Sequence, residues 1–165
     1  MIKSDCRYNL YINILKEELV PAMGCTEPIC LAYAAAKART VLGEIPDKVD
    51  ILASGNIIKN VKSVIVPNTN GMKGLKASVA IGIVGGNPDK ELEVIANVTP
   101  EQKEETLRFL DTVPMTISHI NCQEQLDVTI KLYKGKRSAS VRISGFHTNI
   151  VHIQKDDEVL FESST

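Results

Sequence analysis

No block of like charge occurs in the chain: 19 Lys and Arg are interspersed with 20 Asp and Glu, for a formal net charge of −1. A polyanion-binding face needs clustered cations, so no nucleic acid is expected as a partner. Long apolar runs are also missing. The longest, Lys73 to Gly86, is broken by Lys76, Ser78 and glycines and falls short of the roughly 20 residues that cross a bilayer. The polar N-terminus carries no signal-peptide core. A soluble, cytoplasmic protein with no membrane partner is expected. There is no CxxC pair; Cys6, Cys25, Cys30 and Cys122 are irregularly spaced. That pattern excludes a self-contained zinc or dithiol site and argues for free thiols over a disulfide framework. Neither the P-loop pattern nor the dinucleotide fingerprint appears, so no nucleotide is expected. Internal repeats and low-complexity linkers are absent.

What is present is enough apolar material for one core: 165 residues, 44% hydrophobic, which predicts a single domain. Apolar residues at Leu10, Ile14 and Leu15 with charges between them predict an amphipathic helix over 5–19, stopped by Pro21. A second helix is expected over 27–42 with Gly43 as its C-terminal cap. "KVDILAS" and "NVKSVIV" (60–66) read as strands, and "SGNIIKN" and "PNTNGMKG" as polar loops. Gly74 to Val84 reads as a helix of small residues, whose Gly82 predicts close packing against another backbone. "ELEVIANV" reads as a strand, and Thr99 caps a helix "PEQKEETLRFLDT". "MTISHI", "QLDVTIKLY", "RSASVRISG", "TNIVHIQ" and "EVLFES" follow as strands, with hairpin turns at Lys134–Lys136 and Asp156–Glu158. The expectation is an α+β fold, an antiparallel sheet with helices packed on one side.

Three patches carry candidate chemistry. In "GCTEPIC", Thr26 and Glu27 suit a helix start, so Cys25 stands where free N–H groups and the helix dipole stabilise a thiolate. The plain alternative is a small buried hydrophobe, which is how Cys30 and Cys6 read. Asn56, Lys59 and Asn60 offer two amides and an ammonium to a small acidic molecule, or form an ordinary polar loop. The Gly-rich stretch around Thr69 and Gly71 leads into a helix start that suits a carboxylate. His147, with Thr148 and Asn149, lies between two strands, where a histidine serves as proton carrier, substrate contact or metal ligand, or, as lone loop histidines more often do, as none of these. His119 and His152 read as strand residues.

"GCTEPICLAYAAAKA", "SGNIIKN", "VPNTNGMKGLKASVAIGIVGGN" and "GFHTNIVHI" together resemble the L-cysteine desulfidase family, with its YhaM-type members, related to the iron–sulfur L-serine dehydratases. The resemblance covers essentially the whole chain. It implies a carbon–sulfur lyase that converts L-cysteine to pyruvate, ammonia and sulfide with a [4Fe-4S] cluster. Carried over, Cys25 would be the base or a cluster contact; Asn56, Lys59, Asn60, Thr69 and Gly71 would hold the amino-acid substrate, and His147, Thr148 and Asn149 would complete the pocket. Members of that family are more than twice this length, their other cluster cysteines lying in a C-terminal domain without counterpart here. The chain would thus be the N-terminal domain, spanning 1–165, of a longer enzyme, one subunit of a split one, or a truncated relic, needing a C-terminal domain or partner subunit for activity and binding no cluster alone. Some relatives have Pro-Gly-Thr where Pro67, Asn68 and Thr69 stand. The competing readings are a non-catalytic small-molecule-binding domain, an L-serine dehydratase-like deaminase part, and a thiol enzyme pairing Cys25 with His147. Oligomeric state stays open, a homo-oligomer included.

Overall fold

Strand residues alternate between a buried and a polar side, and this alternation dictates the layering. In the computed structural model, which describes residues 26–62, 64–66, 69, 71–121 and 126–163, six strands form one sheet in the order β2-β1-β3-β4-β5-β6. They are β1 (Lys48–Ser54), β2 (Met115–Ile120), β3 (Asp127–Lys134), β4 (Arg137–Ser144), β5 (Ile150–Lys155) and β6 (Glu158–Glu162). Val49, Ile51, Ala53, Val128, Ile130, Leu132, Val141 and Ile143 are fully buried on the inner face. Asp50, Thr129, Lys131, Ser140 and Arg142 occupy the intervening outer positions, as expected of a sheet covered on one side. The α+β class holds, with one refinement: β1 and β2 pair in parallel, and every other pair is antiparallel. A parallel neighbour needs a crossover, and the whole stretch between Ser54 and Met115 supplies it.

The helical layer consists of α1 (Thr26–Leu42), α2 (Gly55–Val61), α3 (Gly74–Gly85) and α4 (Pro100–Thr112). Ile29 through Ala36 are buried, because α1 is wedged between the sheet and α3. A Cβ on Gly82 would stand 2.3 Å from the Ala32 carbonyl oxygen, and one on Gly86 would stand 2.9 Å from the Ala36 Cβ. Small residues on both sides therefore bring the two helices into backbone contact, as Gly82 predicts. The matching order of these contacts also makes α1 and α3 parallel. Gly43 ends α1 with a φ of +86° and an N–H to the Arg39 carbonyl at 2.8 Å. Thr99 caps α4 in a capping box with Gln102.

Three expectations fail, each for a local reason. "SGNIIKN" is not a loop: residues 55–61 form α2, with Ile57 and Val61 four residues apart on its buried side. Residues 60–66 are consequently not a strand; α2 occupies their start, and only Ile65 makes an isolated bridge, to Lys73. "ELEVIANV" is no strand either. Asn87 caps a 3₁₀ helix at Pro88–Glu93, broken by Glu91 at φ +48°, and Leu92, Val94 and Ile95 are buried from a turn. The expected helix over 5–19 lies outside the described residues.

Candidate functional site

Several elements end together at one edge of the fold. Antiparallel pairing sets the end of β1, at Ala53, beside Val128 near the start of β3. It likewise sets the start of β3, at Asp127, beside Ser144 at the end of β4. Parallel pairing adds the end of β2, with Ile120 beside Ser54. Since α1 runs into β1 through a short turn, the start of α1 returns to this same end, and the parallel α3 starts there with it. The turn Gly145–Asn149 joins β4 to β5 at this end.

His147 is the focus of that turn. It is 8% exposed, and its Nε2 lies 3.9 Å from Oε1 of Glu27 in the first turn of α1. At that separation the two form an ion pair when the ring is protonated. Local backbone bonds fix the turn. Gly145 takes a φ of +91° and donates to the Leu126 carbonyl at 3.0 Å; Ser144 N–H donates to the Asn149 carbonyl at 3.2 Å. The Asn149 side chain donates to the Ser144 carbonyl at 2.8 Å, so its amide serves as a latch across the turn. Thr148 is half-buried and its carbonyl accepts from Ile150 N–H at 3.1 Å.

A charge pair between buried Asp127 and exposed Arg142 ties the strand ends beneath. Asp127 is fully buried and accepts a two-pronged bond from Arg142, at 3.1 and 2.5 Å, and a third from the Ser144 hydroxyl at 3.2 Å. Asp127 and Arg142 occupy neighbouring strands, and only the β3–β4 register joins them. Reading the chain residue by residue gives no sign of the pair. Glu27 was legible only as a helix-start acid. His119 proves to be more than a strand residue: its Nε2 lies 3.0 Å from where a Cβ on Gly55 would stand, so the ring occupies the space the glycine leaves at the start of α2.

The other candidate residues divide. Asn56, Lys59 and Asn60 are exposed and fall at i, i+3 and i+4 of α2, hence on one helical face. Thr69 is buried; its hydroxyl donates to the Val66 carbonyl at 2.6 Å and accepts from Met72 N–H at 3.2 Å. These bonds brace the loop, and Gly71 supports it with a φ of +97°. Thr69 and Met72 line a separate cleft of about 200 Å³ with Pro100, Lys103 and Leu107. Cys25, Cys6 and Cys122 lie outside the described residues.

Cys30 is the single described cysteine and is sealed in the core, and no group of three or more His, Cys, Asp or Glu among the described residues could hold a metal ion. The described residues do not by themselves fit an iron–sulfur cluster. Likewise no helix among the described residues is long and apolar enough to cross a membrane.

No family model matches the chain. The chain is similar to UPF0597 proteins. It is 49% identical over 161 residues to one from Desulfitobacterium hafniense, 98% of this chain and 37% of that protein. Identity is 48% over 155 residues to one from Lachnoclostridium phytofermentans, 94% and 37% of the respective chains. For the protein of Vibrio campbellii it is 38% over 158 residues, 95% and 37%. The chain therefore spans little more than a third of these relatives. Their name states no activity, and this corrects the motif resemblance. The L-cysteine desulfidase assignment and the iron–sulfur lyase activity, with the non-catalytic-domain and serine-dehydratase alternatives, find no support in these relatives. Part of the reason is visible in the blocks themselves: Ile29–Ala36 and most of Leu75–Ile83 are buried packing residues, so much of two of the four blocks reports how α1 meets α3.

Proposed function

We propose that the end of the sheet around His147 is an acid–base site that moves a proton on a small carboxylate-bearing molecule. His147 is the proton carrier and Glu27 the carboxylate that orients and balances it. The observation that carries this reading is their 3.9 Å approach at a nearly buried ring. A buried imidazole beside a carboxylate is an arrangement suited to general acid–base work. The exposed face bearing Asn56, Lys59 and Asn60, on a helix that starts at this end of the sheet, supplies cation and amide donors for a carboxylate.

The test follows the His147 ring resonances of the intact chain while L-alanine, pyruvate or succinate is added. Saturable movement of those resonances is expected with at least one probe. In Glu27→Gln the same probe should bind at least tenfold more weakly. Unmoved His147 resonances with all three probes would overturn the reading.

A further inference from the structure

The polar face of the sheet, turned away from α1, gathers basic residues in one place. Strand register sets two rows of three across β3, β4 and β5: Thr129, Arg142 and His152 in one, Lys131, Ser140 and Gln154 in the next. Side chains directly opposite stand roughly 4.5–5.5 Å apart at Cβ, and diagonal neighbours about 7–8 Å. Arg142 is therefore opposite His152 and diagonal to Lys131. Three basic groups from three strands meet over one patch, with the Thr129 and Ser140 hydroxyls among them. These six residues line a single cavity of about 360 Å³, toward the lower end of the roughly 300–1,000 Å³ of small-molecule sites.

The carboxylates around the patch do not occupy it. Asp127 holds the Arg142 guanidinium through Nε and one Nη, which fixes its direction while the side chain stays 47% exposed. Asp50, opposite Lys131 on β1, accepts from the Thr116 hydroxyl at 2.6 Å. Lys131 is exposed and pairs with no carboxylate among the described residues. Glu162 closes the far side of the cavity on β6, 3.9 Å from the His152 ring, whose Nε2 lies 3.2 Å from the Gln154 side-chain oxygen. We propose that this cavity binds a small phosphate monoester that carries hydroxyl groups. An ester phosphate has three acceptor oxygens and a charge of about −1.5 to −2 at pH 7, which suits donors converging from three strands; a carboxylate offers two oxygens in one plane. Arg142 and Lys131 hold the phosphate, the first as an oriented fork and the second as a point charge. The Ser140 and Thr129 hydroxyls donate beside them, and Glu162 accepts from a hydroxyl of the ester. This site lies on the outer face of the sheet and does not rest on the His147 reading.

The test follows the His152 ring resonances of the intact chain, at constant ionic strength, while glycerol 3-phosphate is added. Saturable movement is expected. Lys131→Ala, at an exposed residue and so compatible with folding, should weaken binding at least tenfold. Succinate should bind at least tenfold more weakly than glycerol 3-phosphate, and inorganic phosphate several-fold more weakly because it lacks the hydroxyls that Glu162 accepts from. Unmoved His152 resonances, binding untouched by Lys131→Ala, or succinate binding as tightly as the ester would overturn the proposal. So would inorganic phosphate binding as tightly as the ester, since free phosphate would then be the ligand.

Discussion

At the scale of single residues, what sets the candidate site apart is how few groups do double duty. Thr69 and Asn149 spend their side chains on their own turns, and Asp127 is consumed by Arg142 and Ser144. His147 and Glu27 are the titratable pair that the turn and the helix start press together. Among the described residues, Tyr33 and Tyr133 carry clear electrostatic perturbations. Burial holds the Tyr33 hydroxyl above its ordinary range, with the charges of Glu91, Cys30 and Asp89 adding to it. Burial and then Asp50 do the same for Tyr133. The sign for stability follows from proton binding. Above a pH of about 10 the unfolded chain releases its tyrosine protons while the folded one keeps them, so stability falls as pH rises. Urea midpoints should therefore drop between neutral pH and pH 11, and Tyr33→Phe should flatten part of that drop. An unchanged slope in Tyr33→Phe would remove Tyr33 from the account.

At the scale of elements, close approach and capping do the work. Gly82→Ala puts a methyl group where the Ala32 carbonyl oxygen already is, so α1 and α3 must separate. A loss of about 3 kcal/mol is expected, at the upper end for overpacking, measurable by chemical denaturation. Thr99→Ala removes a capping box and should cost about 1 kcal/mol, with α4 fraying visible in amide exchange. These two elements were the most legible in the sequence, because a capping residue and a mid-helix glycine act locally. By contrast α2 was hidden: its exposed side spells the polar loop "GN..KN", and only Ile57 and Val61 betray the helical spacing. The 3₁₀ turn at 88–93 misled in the opposite way. Leu92, Val94 and Ile95 look like a strand because they are buried, yet what buries them is a turn against the α1 side of the core.

At the scale of the whole molecule, the α+β class and most strands followed from alternation and turn residues. The parallel β1–β2 pair did not, since strand direction is set by the long crossover and not by any local pattern. For the candidate site, His147 was legible as a turn histidine, whereas its partnership with Glu27 depends on α1 returning to the end of the sheet. The motif blocks that suggested an iron–sulfur lyase turned out to be in large part the α1–α3 packing surface, and the relatives they lead to are UPF0597 proteins. The central claim is that the end of the sheet moves a proton through His147. Its most direct measurement is deuterium uptake in D₂O at the carbon next to the carboxylate or carbonyl of L-alanine or pyruvate, followed by proton NMR. With the intact chain, exchange is predicted to exceed the buffer rate and to fall about a hundredfold in His147→Gln, in the range expected for general acid–base catalysis. Exchange at the buffer rate, or exchange indifferent to His147→Gln, would contradict it.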